Sequence, residues 1–171
     1  MYKFRRRKTG MSRPNKLVKL MTTELPTKTD FRKRLYKPTT EEAQDMFNIL
    51  NKHIWHNELT ICPIEIRRLR MAYGWCDGRT NPDGDFYTHS ISVAPQHGCL
   101  QWFITILAHE MVHHWQWSIY SNNRAKTMPY SKAAIMSHGP SFYEWKKPLE
   151  KYGIPLQSGY HSPRKRAQTL L

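Results

Sequence analysis

Cysteine is scarce in this chain of 171 residues. Cys62, Cys76 and Cys99 are an odd number and include no C-x-x-C pair. That excludes a disulfide framework and a four-cysteine zinc ribbon, and it points to a reducing compartment. Long apolar runs are lacking too. The longest uncharged apolar stretch, Cys99 to Ala108, still includes Gln101 and Thr105, and it falls well short of a bilayer's thickness. The segment Met1 to Lys8 is charged and no apolar stretch follows it, so a secretory signal is not expected. No internal repeat is visible. Acidic residues are few, 13 against 27 Lys and Arg, which leaves a net charge of +14. The expected location is cytoplasmic, or associated with a nucleoid or nucleus, and not secreted.

What is present fits one folded domain. The length allows a sizeable core but not two, and 12% aromatic residues are too many for a disordered chain. The charge is concentrated. Residues 1–37 carry +11, residues 38–160 are neutral, and residues 161–171 carry +3. The chain reads as a neutral body with a basic, flexible N-terminal arm (1–37) and a short basic tail (161–171). Such an arm suits a polyanion, because Lys and Arg release counterions from phosphates. The expected partner is nucleic acid, DNA first. The candidate contacts are Arg5, Arg6, Arg7, Lys8, Arg32, Lys33, Arg34, Arg164, Lys165 and Arg166. Tyr2, Phe4, Phe31 and Tyr36 are interleaved with them as stacking candidates. A merely solvated terminus is the plain alternative. A membrane partner is not expected, since the arm has no long apolar face.

Periodicity organises the body. A helical turn or two is expected near Asn15 to Met21. Thr39 and Glu42 form a capping box for a helix over about 40–56, with Ala43, Met46, Phe47, Leu50 and Ile54 at helical spacing. Leu59 to Trp75 reads as one strand starting after Pro63. Asp77 to Asp85 reads as a turn segment, and Phe86 to Ala94 as a second strand pairing with the first. Residues 99–119 are apolar almost all round and carry one charge, Glu110. They are expected to form a central buried helix. Gly139-Pro140 opens a last helix with Phe142, Trp145, Leu149 and Tyr152 on one face. Pro148 is placed to kink or split it. Trp102, Trp115, Trp117 and Trp145 read as packing residues.

The chemistry lies in His109-Glu110-Met111-Val112-His113, which is H-E-x-x-H. On a helix, residues four apart share a face, so both imidazoles reach one Zn²⁺. Glu110 lies about 100° round the helix, free to act as general base on a water that zinc activates for attack on a peptide carbonyl. A charged residue amid the most apolar segment is costly unless a cation compensates it. A third ligand is required. The positions that would continue a metzincin motif hold Gln116 and Ile119 and do not match. Glu144 and Glu150 are long-range candidates. His138, just ahead of Gly139-Pro140, is better placed. His114, which faces elsewhere, reads as a structural residue or one that supports a ligand, and His89 and His97 are minor ligand candidates.

His109-Glu110-x-x-His113 followed by His138-Gly139-x-x-Phe142 resembles the SprT-like metallopeptidase domain, the family that includes Spartan-type DNA-associated proteases. The resemblance covers about residues 40–155. It implies a zincin-like α+β fold with a small antiparallel sheet packed on helices. It also implies one catalytic zinc held by His109, His113 and His138, Glu110 as general base, Phe142 as a packing residue, and a protein substrate associated with nucleic acid. No cysteine follows Cys99 in this sequence, so the cysteine ribbon of many members is not expected here, and any DNA contact is expected from the arm and tail. The rival expectation is non-enzymatic: a nucleic-acid-binding or particle-assembly protein with a structural zinc closed by a fourth ligand.

Overall fold

The structure, a computed structural model, describes residues 16–24, 35–128 and 138–159. Helix α1 spans Lys16–Glu24, and α2 spans Thr40–Ile54. The expected capping box is formed: Thr39 Oγ1 accepts from the Glu42 amide, and the Glu42 carboxylate accepts from the Thr39 amide, each at 3.1 Å. Ala43, Met46, Phe47, Leu50 and Ile54 are buried on one face of α2, as the 3.6-residue period requires. Buried Asn51 ties α2 to the next loop through both the N–H and the C=O of Leu59. Glu24, at the end of α1, pairs with Lys52 and His53 of α2. Tyr36 bridges to His97 through backbone hydrogen bonds. The 1–37 segment thus contributes both a helix and a bridge residue to the described fold.

Three strands follow: β1, Ile64–Ile66; β2, Gly74–Thr80; and β3, Phe86–Val93. Their order is β1-β3-β2, so β3 is central and β2 is an edge. β1 pairs with β3 in parallel, Ile64 opposite Ile91. β2 pairs with β3 antiparallel, Gly74 opposite Val93 and Thr80 opposite Phe86, with a bulge at Asp77/Gly78. This corrects the sequence reading in three ways. The sheet is mixed rather than antiparallel. The 59–75 stretch is not one strand: it holds the short β1 and, at Gly74–Trp75, the start of β2. The first half of the expected turn, Asp77 to Thr80, is strand, and the reversal is confined to residues 81–85. There Asn81 Oδ1 accepts from the Asp85 amide and Gly84 takes φ 91°. Side-chain alternation misled because β2 contains two glycines and charged residues, which carry no strand pattern of their own.

Helix α3, Leu100–Trp115, is buried from Leu100 through Val112 apart from Gln101 and Trp102. It packs on β2, β3 and α2. It runs directly into a π-helical turn, Gln116–Ser121, and then α4, Asn122–Ala125. Asn122 locks this end to the sheet, its side chain pairing with both the N–H and the C=O of Phe86. Beyond His138, the last helix is split into α5, Pro140–Tyr143, and α6, Lys146–Glu150. Pro148 falls in the first turn of α6, where a missing N–H costs no helical bond. The core joins Phe47, Leu50, Ile91, Val93, Phe103, Leu107, Met111, Phe142 and Leu149. Trp102, Trp115 and Trp145 pack against it. None of the helices among the described residues is long and apolar enough to cross a membrane.

Candidate metal centre

His109 and His113 project from successive turns of α3, as the four-residue spacing dictates. His138 arrives from the segment that opens α5. Their Nε2 atoms form a nearly equilateral triangle. His109 to His113 is 3.2 Å, His113 to His138 is 3.3 Å, and His138 to His109 is 3.2 Å. A tetrahedral zinc bound at about 2.0–2.1 Å needs its nitrogen ligands about 3.3–3.4 Å apart. Three imidazole nitrogens meeting at one point cannot all be satisfied by sharing protons among themselves, whereas one cation accepts all three lone pairs. The donor set therefore fits a metal ion. Among the described residues no fourth His, Cys, Asp or Glu joins the group.

Phe142 supports the triad. It is fully buried, and its ring lies 4.9, 4.9 and 4.7 Å from the rings of His109, His113 and His138. Burial lowers the His109 pKa to about 3, helped by the two neighbouring imidazoles, while a backbone hydrogen bond with Gln157 opposes it. Burial likewise lowers His113 to about 4 and pulls His138 down. All three rings are thereby kept neutral, the form that ligates.

Gln116 is a site residue that sequence reasoning did not identify. It is fully buried where the π-helical turn begins. Its Oε1 lies 2.8 Å from His113 Nδ1, and its Nε2 donates to Ser141 Oγ at 2.9 Å. An amide oxygen only accepts, so the proton of His113 sits on Nδ1 and its Nε2 presents a lone pair to the triad. The same amide straps α3 to the segment that carries His138. The available signal was its position three residues after His113, on the same helix face.

Glu110 is 6% exposed and stands outside the ligand group. Burial pushes its carboxyl up to about 8, and a backbone hydrogen bond from Cys76 works the other way. Strand β2 presses on it closely. A Cβ at Gly74 would lie 2.5 Å from Glu110 Oε1, and one at Gly78 would lie 2.0–2.2 Å from the Trp117 ring. The first would crowd Glu110 and Ile106 of α3, and the second would overlap the Trp117 ring of the π-helical turn. A cleft of about 1050 Å³ is lined by the triad, Glu110, β2 and the loop before it.

The other histidines are placed elsewhere. His114 is buried, its Nε2 2.8 Å from the Thr60 carbonyl and its ring near Phe47, a structural role as expected. His97 is buried against the Ala94 carbonyl at 2.8 Å, and His89 is exposed. Neither belongs to the triad, and Glu144 and Glu150 are exposed and outside it as well. Tyr36 is not an open stacking surface: its ring packs 5.3 Å from Phe103 and its hydroxyl donates to Glu42. The remaining stacking candidates Tyr2, Phe4 and Phe31, and the charge candidates Arg5, Arg6, Arg7, Lys8, Arg32, Lys33, Arg34, Arg164, Lys165 and Arg166, lie outside the described residues. Comparison with protein families, curated proteins and solved structures finds no match to this chain.

Proposed function

We propose that the protein is a zinc-dependent endopeptidase of the SprT-like kind, acting on proteins associated with nucleic acid. One observation carries the reading: three convergent histidine nitrogens border the same cleft as a buried glutamate that is not one of their group. His109, His113 and His138 would hold the ion. It would supply the Lewis acidity that brings a water's pKa toward neutrality and polarises a scissile carbonyl. Glu110 is held by α3 and the Cys76 amide at the cleft wall. A cation nearby favours its ionised form, which takes a proton from the attacking water and passes it to the leaving amine. Gln116 holds His113 in the ligating tautomer, and the Phe142 ring fixes the orientation of all three imidazoles. A closed structural zinc has no use for a buried acid beside its first ligand. The basic arm supports nucleic acid as the setting.

The test is proteolysis of a DNA-binding protein by zinc-loaded wild type and Glu110→Gln, with and without DNA. Cleavage by wild type alone supports the peptidase, and stimulation by DNA supports the nucleic-acid setting. Equal cleavage by both proteins removes Glu110 from the reaction. No cleavage by either favours the structural-zinc alternative.

A further inference from the structure

The cleft that holds Glu110 and the histidines is also lined by Arg68 and Arg70, from the connection between β1 and β2, and by Trp75 at the start of β2. Both arginines are exposed. Among the described residues neither has a carboxylate partner, whereas Arg67 pairs with Glu65 and Arg79 with Asp77. The cleft's own acids do not neutralise them, since Asp77 is engaged by Arg79 and Glu110 is buried. Beside the two guanidiniums stand unusually exposed apolar groups, Met71 at 95% and Trp75 at 57%. With Arg67, Leu69, Arg70 and Ala72 they wall a second hollow of about 300 Å³. Leu69, Arg70, Met71, Ala72 and Trp75 line both spaces, so the hollow adjoins the cleft.

We propose that this rim selects polypeptide segments in which an Asp or Glu neighbours a bulky apolar residue. The carboxylate is taken by Arg68 and Arg70, and the apolar side chain enters the hollow against Trp75 and Met71. Calling the bound segment a substrate rests on the peptidase reading above. Three points favour a peptide over nucleic acid here. A chain that reaches Glu110 runs through this same cleft. The 38–160 body is electrically neutral, so the positive charge is local, enough for one or two carboxylates rather than a row of phosphates. The guanidinium fork matches a carboxylate in bidentate fashion. Each exposed Arg–carboxylate pair is worth about two- to five-fold in affinity, and the two together roughly ten-fold. The preference should fade at high salt.

The experiment measures anisotropy of fluorescein-labelled peptides on zinc-loaded Glu110→Gln protein, with and without Arg68→Gln and Arg70→Gln. One peptide carries Asp-Leu-Asp in a Gly-Ser frame, its control Asn-Leu-Asn, and a single-stranded oligothymidylate is a third probe. Zinc content reports that each variant is folded. The expected result is roughly ten-fold tighter binding of the acidic peptide, lost in the double variant and weakened by salt. Equal binding of the two peptides, no binding of either, or a preference that survives the double variant overturns the proposal. So does oligothymidylate binding that depends on the two arginines while acidic-peptide binding does not. The same peptides are offered to zinc-loaded wild type. Acidic preference in binding without cleavage upholds the rim and refutes the peptidase; cleavage indifferent to the acidic residues does the reverse.

Discussion

A carboxyl group buried on an apolar helix destabilises the protein that holds it, and Glu110 does so with a definite pH sign. Its pKa is about 8 in the folded chain and near 4.5 unfolded, so the folded state binds the extra proton between those values. Metal-free stability therefore falls as pH rises through this window. Glu110→Gln removes the ionisation. Without metal it should be more stable than wild type at about pH 8, by on the order of a few kcal/mol, and little different at about pH 5. Thermal melts of both proteins in chelator at the two pH values check this; a gap of equal size at both would disprove it. Gln116 would act on a bound metal through the tautomer of His113. Gln116→Ala should weaken zinc affinity about 10- to 100-fold, the usual effect of removing a ligand's supporting hydrogen bond, as read by competition with a chromophoric chelator. Unchanged affinity would show that Phe142 alone orients His113. His109 and His113 were legible in the sequence as a candidate metal pair because their spacing is local and helical. Gln116 was not, because its second partner, Ser141, lies 25 residues away and the fold alone brings it close.

Elements here depend on contacts that local patterns do not carry. α2 was readable to within two residues because its cap, its apolar stripe and its period agree. β2 was not, because its strand character comes from pairing with β3 and from the close approach of α3. Gly78 marks where the turn that follows α3 comes equally close. A Cβ there meets the Trp117 ring of the π-helical turn, and an aromatic ring between strand and helix cannot yield as a flexible side chain would. Gly78→Ala should cost about 1–3 kcal/mol. Denaturant melts should show it as a lower midpoint with an unchanged slope; a midpoint equal to that of wild type would mean that β2 can draw back freely. The parallel pairing of β1 was likewise hidden, since three residues are too few to display a face preference.

At the scale of the whole molecule, a metal held by the triad would be coupled to folding. His109 and His113 come from α3, and His138 lies 25 residues beyond His113, so one ion would cross-link parts of the chain that the unfolded state separates. Zinc should raise the melting temperature and a chelator should lower it. His138→Ala should abolish that response, and a melting curve indifferent to zinc would count against the site. The arm divides at the same scale. Removing residues 1–37 also removes the Glu24 pairs and the Tyr36 bridge, so it confounds stability with binding. Removing residues 1–15 is the cleaner test. It should weaken DNA binding and flatten its salt dependence while leaving the melting temperature near that of the full chain. Salt dependence equal to that of the full chain would remove the arm from nucleic-acid contact.

The sequence by itself determined what is written within a turn or two of chain: the α2 cap, the buried α3, the paired histidines with their glutamate, and a break in the last helix near Pro148. These are local because helical spacing and steric limits on the backbone act over a few residues. Only the tertiary structure decided that β2 is an edge strand with Gly74 against α3 and Gly78 against the π-helical turn, and that Gln116 straps His113 to the His138 segment. It alone also placed two arginines and a tryptophan at the border of the cleft. Each of those depends on residues distant in sequence meeting in space, where close packing rather than local propensity selects the arrangement.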